Sequence, residues 1–498
     1  MISEQINARE LRPLSARITP EFLEEHGVLP LHVEEGVLRL ATWREHVALD
    51  VVCELEMLVG ARAQVLQFPE AVVRTGIRTV YGESSAQSLI NAVREDAPSS
   101  GEDDPPAIDD LRSLANEAPV IRLVSMLLSE ALAARASDVH IEAYPDAMRV
   151  RYRIDGVLQD APSPPRSMAA AVVSRLKVMA NLDIAERRMP QDGRIRLALH
   201  DRQVDVRVST IPTLHGESVV LRLLDKEAGT LDLDSLGMSP DDHARLLEVL
   251  KRPHGIILAT GPTGSGKTTT LYAAVQHLKT GREKILTVED PIEYQLAGIP
   301  QVPVNEKVGV TFASALRALL RQDPDVMLVG EIRDGETAEI ATQAALTGHL
   351  VLSTLHTNDA AGALTRLVDL GVASFLVSAT VQAVVAQRLV RTVCSACATV
   401  VDATDAERAT LGAPALKQVT RGKGCDVCRG SGYVGRTGVY ELLIIDDAMR
   451  AAISAGAGAP AVRELARASG VTTLIDDGAR LVAAGRTTPE EVSRVAAG

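Results

Sequence analysis

Two periods of apolar residues alternate along this chain, and the points where they change mark its segments. Near the start, "TPEFLEEHG" carries the signs of a short helix: Thr19 as its cap, Pro20 at the first helical position and Gly27 beyond its end. "VLRLATW" reads as a strand, and residues 1–83 as a small N-terminal domain of short helices and strands. Residues 94–110, "REDAPSSGEDDPPAIDD", are acidic, rich in Pro and Ser and poor in apolar positions, which predicts a flexible acidic linker over 84–110. Helical spacing returns in "APVIRLVSMLLSEALAARA". Strand-like runs follow in "MRVRYRIDGVL", "GRIRLALHDRQVDVRVST" and "SVVLRLLD", so 111–225 reads as an α+β domain. "KEAGTLDLDSLGMSP" opens a connector, 226–238. From 239 to 498, the apolar runs "GIILAT", "KILTVED", "DVMLVGE" and "LVLSTLH" alternate with helical stretches. That alternation predicts a parallel sheet covered on both faces, with a ligand at the carboxyl ends of its strands. No internal repeat is evident.

Composition narrows the partners. The chain has 498 residues, 52 basic against 65 acidic, for a net charge of −13. Such a surface is unpromising for nucleic acid, and aromatics at 2% leave few platforms for base stacking. No apolar run reaches membrane-spanning length, and "MISEQINARELRPLSAR" lacks the apolar stretch of a signal peptide, so a cytoplasmic protein is expected.

The chemistry begins directly after "GIILAT". "GPTGSGKTT" places Gly261, Pro262, Thr263, Gly264, Ser265, Gly266, Lys267, Thr268 and Thr269 in a phosphate-binding loop between strand and helix. Its glycines let backbone N–H groups turn toward phosphate oxygens, and the following helix adds its N-terminal dipole. Lys267 would bridge the β- and γ-phosphates of ATP, and Thr268 would hold Mg²⁺. Glu331 ends "DVMLVGE", where a carboxylate can orient the attacking water. Glu289, Asp290 and Glu293 cluster in "TVEDPIEY", as acidic groups do around a cation. His349 and His356 bracket "LVLSTL", and either imidazole could donate to a γ-phosphate.

Four of the five cysteines fall in two C-x-x-C pairs, Cys394/Cys397 and Cys425/Cys428, with the spacing of a tetrahedral zinc site. Disulfides and redox motifs are weaker readings for a cytosolic chain. Cys53, within "LDVVCELEML", is expected in a core.

Together these residues resemble the secretion ATPases that drive type II secretion and type IV pilus assembly, the GspE family. "GPTGSGKT", "TVEDPIEY", "MLVGEIRD" and "GHLVLSTLHTNDA" match the family's phosphate loop, Asp box, Walker B and His box in order. "ASDVHIEA", "MPQDGRIRL" and "VDVRVSTIPTLHGESVVLRLL" resemble its second N-terminal domain. The resemblance implies a RecA-like P-loop ATPase domain preceded by α+β domains, with a four-cysteine zinc module at 388–440. It implies that the second domain closes over ATP and contributes Arg194 and Arg207, and that Arg317 and Arg321 act near the phosphates. Glu289 joins Glu331, His349 and His356 as catalytic.

The expected partners are five further copies in a homo-hexamer, an inner-membrane platform protein, and the cytoplasmic arm of a membrane-anchored secretion protein that binds residues 1–83. Membrane contact is then indirect and nucleic acid is not a ligand. The R-L-G-x-x-L pattern by which some relatives bind cyclic di-GMP in this domain is missing. Alternatives are a pilus-extension ATPase, a nucleic-acid motor or zinc-ribbon binding protein, and a non-hydrolysing scaffold, against which Lys267, Thr268 and Glu331 argue.

Overall fold

A computed structural model describes residues 20–80 (except 35 and 45), 115, 118–199, 202–225 and 232–496. Thr19, the acidic linker and the first part of the connector lie outside these. The chain divides into two compact units, residues 1–225 and 226–498.

The first unit contains two separate sheets. A helix at Pro20–His26, ended by Gly27 with φ +68°, leads into β1 (Val28–Glu34), β2 (Val37–Thr42) and β3 (Arg62–Gln67). Helices Leu49–Val59 and Glu70–Val80 complete this layer, whose core includes Leu23, Leu29, Leu38, Leu40, Leu55 and Ile77. Cys53 corrects the expectation of a core residue, because it is exposed. The helix buries Val51 and Leu55. At about 100° per residue, a position two away from each points to the opposite side.

The second sheet comprises β4 (Ala136–Ala143), β5 (Met148–Ile154), β6 (Val157–Asp160), β7 (Gln191–Leu199), β8 (Arg202–Thr213) and β9 (Gly216–Asp225), in the order β6-β5-β4-β9-β8-β7. All its pairings are antiparallel. Helix Ala118–Ala133 has the expected spacing. Helix Ala169–Met179 and strand β4 were not distinguished in the sequence. Val172 and Leu176 of that helix join Val139, Val206, Val219 and Leu221 in one core. The buried Lys177 ammonium pairs with Glu217 and donates to the Glu186 carbonyl at 2.7 Å, fastening the segment before β7.

The second unit is built on seven strands: β10 (Gly255–Thr260), β11 (Ile285–Glu289), β12 (Gln301–Pro303), β13 (Val326–Val329), β14 (Leu350–Leu355), β15 (Val381–Val393) and β18 (Tyr433–Ile444). Their order is β12-β11-β13-β14-β10-β15-β18. The four expected strands are parallel, and so are β12 and β15. β18 is antiparallel to β15, which makes the sheet mixed at that edge. Ile256 and Leu258 of β10 face one core, and Ile257 and Ala259 face the other. This is the two-sided burial that a continuous apolar run requires. Between β15 and β18 the chain forms β16 (Ala398–Asp402) and β17 (Gln418–Gly422), a two-stranded sheet. Among the described residues, no helix is long and apolar enough to cross a membrane.

Candidate active site

β10 lies between β14 and β15, and its end delivers Gly261–Gly266 to the carboxyl edge of the sheet. Gly261, Gly264 and Gly266 all have positive φ. A Cβ on Gly261 would meet the Gln387 carbonyl at 2.5 Å, and one on Gly266 would meet Gln387 Nε2 at 2.7 Å. Helix Lys267–Leu278 starts immediately after. Lys267 Nζ donates to the carbonyls of Gly261 (2.7 Å) and Pro262 (3.1 Å). Burial pulls this ammonium down to about 8; Glu331 opposes the shift and Arg388 adds to it. Ser265 Oγ is buried without a hydrogen-bond partner, and Thr268 is exposed at the first turn. A cradle with an unpaired hydroxyl, a desolvated lysine and an exposed threonine suits a phosphate with its cation.

Glu331 follows β13. Its carboxylate is contacted by His356 Nε2 at 3.2 Å and by an Arg333 nitrogen at 2.5 Å. Arg333 also lies 3.9 Å from Asp290. Thr354 donates to the Gly330 carbonyl at 2.8 Å, and Thr260 and Thr357 share a 2.6 Å hydroxyl contact. These bonds hold the exits of β13, β14 and β10 together. Glu289 ends β11 fully buried. It accepts from Thr287 (2.6 Å), Gln301 (3.0 Å) and the Tyr272 hydroxyl, which comes from the helix after the phosphate loop.

His349 is a correction. It precedes β14, and Leu350 pairs with Gly255 at the amino end of β10. The imidazole contacts the Ala344 carbonyl at 2.9 Å and Thr347 at 3.2 Å, so it closes a helix end a full strand away from the loop. Arg317, on helix Phe312–Leu319, pairs with Glu336 at 2.5 Å. Arg321 lies in the 3₁₀ turn beyond and donates to the Arg317 carbonyl at 2.9 Å.

Arg194 on β7 and Arg207 on β8 are directly opposed, and Arg222 on β9 opposes Arg207 in turn. They alternate with buried Val206, Val208 and Leu221, so they occupy the face turned away from the core. The three line a groove of about 530 Å³ together with Asp192. Arg222 is offset by Asp138 at 3.0 Å. Like charges opposed across strands are unfavourable, which suits such a face to an anion.

Two residues near the loop were missed in the sequence. Arg333 had its signal in the spacing "GEIRD". Arg388 is one of two arginines, with Arg391, in the largely apolar run of β15. It is buried, lies close to Gly261, and donates to the carbonyls of Gln387 (3.1 Å) and Asn358 (2.9 Å).

The four cysteine sulfurs lie within 4.8 Å of one another. Three contacts measure 3.9 Å (Cys394–Cys425), 3.8 Å (Cys397–Cys428) and 3.7 Å (Cys425–Cys428). A zinc–sulfur bond of about 2.3 Å sets tetrahedral edges of about 3.8 Å, so this donor set fits zinc. Burial pushes the Cys428 thiol up, but N–H groups of Cys425 and Gly432 more than reverse this and hold it at about 6.

The family model for type II/IV secretion system proteins matches residues 113–494, and the MshEN domain matches residues 4–87. The chain is 49% identical over 486 residues to the type II secretion system protein E of Pseudomonas aeruginosa, covering 96% of each chain. It is 47% identical over 454 residues to the type II secretion system ATPase E of Vibrio cholerae, covering 90% of each. A crystal structure of the pilus retraction motor PilT with bound ADP is similar at TM-score 0.50 and 26% identity, covering 74% of this chain and 95% of that one. The Legionella pneumophila ATPase DotB shares the fold at TM-score 0.57 and 21% identity, covering 76% and 96%. The phosphate loop faced by Glu331 and His356, and this likeness along nearly the whole length of its relatives, establish that the chain belongs to the type II secretion ATPase family and is an ATP-hydrolysing enzyme.

Proposed function

We propose that this chain is the motor of a type II protein secretion system, working as a ring of six on the cytoplasmic side of the inner membrane to power pseudopilus assembly. The observation that carries the reading is the Glu331 carboxylate, held by His356 and Arg333 at the strand exits beside Lys267. Lys267 neutralises phosphate charge, and Glu331 orients and polarises the attacking water. His356 fixes the rotamer of Glu331 and can donate to the γ-phosphate. Mg²⁺, held at Thr268, would supply further charge neutralisation when bound. Arg194 and Arg207, with Arg317 and Arg321, offset the charge that spreads in the transition state. Glu289 acts on the site through Tyr272. Zinc at the four cysteines has a structural role.

Residues 1–83 would bind the cytoplasmic arm of a membrane-anchored secretion protein, and the ring would act on an inner-membrane platform. The test is Glu331→Gln in a strain lacking its own secretion ATPase. The variant should bind ATP, hydrolyse it about 10²–10⁴-fold more slowly and fail to restore export. Export at the wild-type level would overturn the reading.

A further inference from the structure

Behind the phosphate loop runs a buried line of polar side chains that hydrolysis does not use. Thr270, in the first turn of the loop's helix, donates its hydroxyl to Gln387 Oε1 at 2.7 Å. Gln387 Nε2 makes a long contact, 3.5 Å, with the Tyr440 hydroxyl. Tyr440 donates in turn to the Leu236 carbonyl at 3.1 Å. Thr270, Gln387 and Tyr440 are at most 2% exposed. Leu236 belongs to the connector, the stretch of chain through which the second unit continues from the first.

The connector is gripped at this point by several groups. Its Leu236 carbonyl also accepts from Gly438 N at 3.3 Å, and Arg480 donates to the Gly237 carbonyl at 2.9 Å. Arg480 is held by buried Asp477 at 2.7 Å, and the other Asp477 oxygen accepts from Tyr440 N at 2.9 Å. Leu233 and Leu236 share a core with Leu271, Tyr272 and Val275 of the loop's helix. At the other end of the line, Gln387 Nε2 lies close enough to Gly266 to exclude a Cβ there. Buried polar groups that exchange partners do so discretely, because an intermediate leaves one unpaired.

We propose that Thr270, Gln387 and Tyr440 form a coupling element that transmits the nucleotide state of the phosphate loop to the connector at Leu236–Gly237. The proposal rests on the ATPase reading. Phosphate binding fixes the loop and the first turn of its helix. That selects one arrangement of the Gln387 amide, and the Tyr440 hydroxyl reports it to the Leu236 carbonyl.

Amide hydrogen exchange on the full-length protein tests this, with and without ADP or a non-hydrolysable ATP analogue. In the wild type, nucleotide should slow exchange at 261–278 and change it at 232–238 by about fivefold or more. Tyr440→Phe keeps the ring and loses the hydroxyl. It should bind nucleotide within about twofold of wild type, keep the response at 261–278 and lose the response at 232–238. Thr270→Val, which breaks the line at its other end, should likewise lose the connector response, and serves where Tyr440→Phe is poorly folded. A connector response absent from the wild type, or surviving in either folded variant, overturns the coupling. Loss of the response at 261–278 in the wild type would overturn nucleotide binding itself, so the two failures are distinct.

Discussion

Lys267 makes the phosphate loop sensitive to pH. Its ammonium is desolvated, satisfied only by loop carbonyls, and drawn down to about 8. Phosphate oxygens require the charged form, so binding takes up a proton once the pH exceeds that value. ATP affinity should be flat toward neutral pH and about tenfold weaker at pH 9 than at pH 7. Titration of a fluorescent ATP analogue checks this, and Lys267→Gln should show a weaker affinity without the dependence.

The two histidines separate at the same scale. His356→Gln should lower turnover, because it releases Glu331; His349→Gln should cost about 1 kcal/mol of stability and leave turnover within about twofold. Steady-state kinetics beside thermal melts distinguishes these outcomes. Both histidines were legible as candidates because they bracket one strand. Bracketing a strand puts them at its opposite ends, and the parallel register of β14 with β10 shows that the His356 end is the one beside the loop. Arg388 was not legible, since its importance arises from a neighbouring strand that carries it past Gly261.

At the scale of elements, local pattern identified what is continuous in sequence. The four parallel strands were readable as apolar runs ending in polar residues. β15 and β18 were not, because they are neighbours in the sheet yet are separated by the whole cysteine module. The helix Ala169–Met179 was missed amid strand-like runs, being short and apolar on most sides. The module itself was legible from cysteine spacing alone.

Its small two-stranded sheet has little core of its own. It leans on Val482 and Val492 of the C-terminal helices, and its own Arg421 pairs with Glu407 and with Glu490 of the last helix. Zinc should therefore supply most of its order, since structural zinc contributes roughly 10–16 kcal/mol to folding. Cys425→Ser, or removal of metal by a chelator, should expose residues 394–432 to proteolysis and lower the melting temperature. ATP affinity should stay within about twofold, because the loop is anchored on β10 and β15. Metal analysis near one zinc per chain, and its loss in the variant, completes the measurement.

At the scale of the molecule, one feature of the fold bears on how the enzyme works. A P-loop at the carboxyl edge of an open sheet presents its phosphates away from that sheet. Arg317 pairs with Glu336 on an exposed surface, a contact weak enough to be exchanged. The arginines of β7, β8 and β9 line a groove on another sheet. Charge stabilisation and exclusion of water then have to come from a second surface brought to the nucleotide. If that surface belongs to the same chain, activity per chain is independent of concentration. If a neighbour completes the site, activity rises with assembly. We expect the second behaviour: low specific activity in dilute protein, increasing over about a hundredfold range of concentration and strongly in a fusion that enforces hexamers. Arg207→Ala should lower turnover by about 10³-fold or more in the assembled form while barely changing ATP affinity, because its charge acts on the transition state. In dilute, unassembled protein the same substitution should have little effect. A flat activity profile with an equally large Arg207 effect at every concentration would place the arginine in its own chain's site, and the ring would no longer be needed for chemistry.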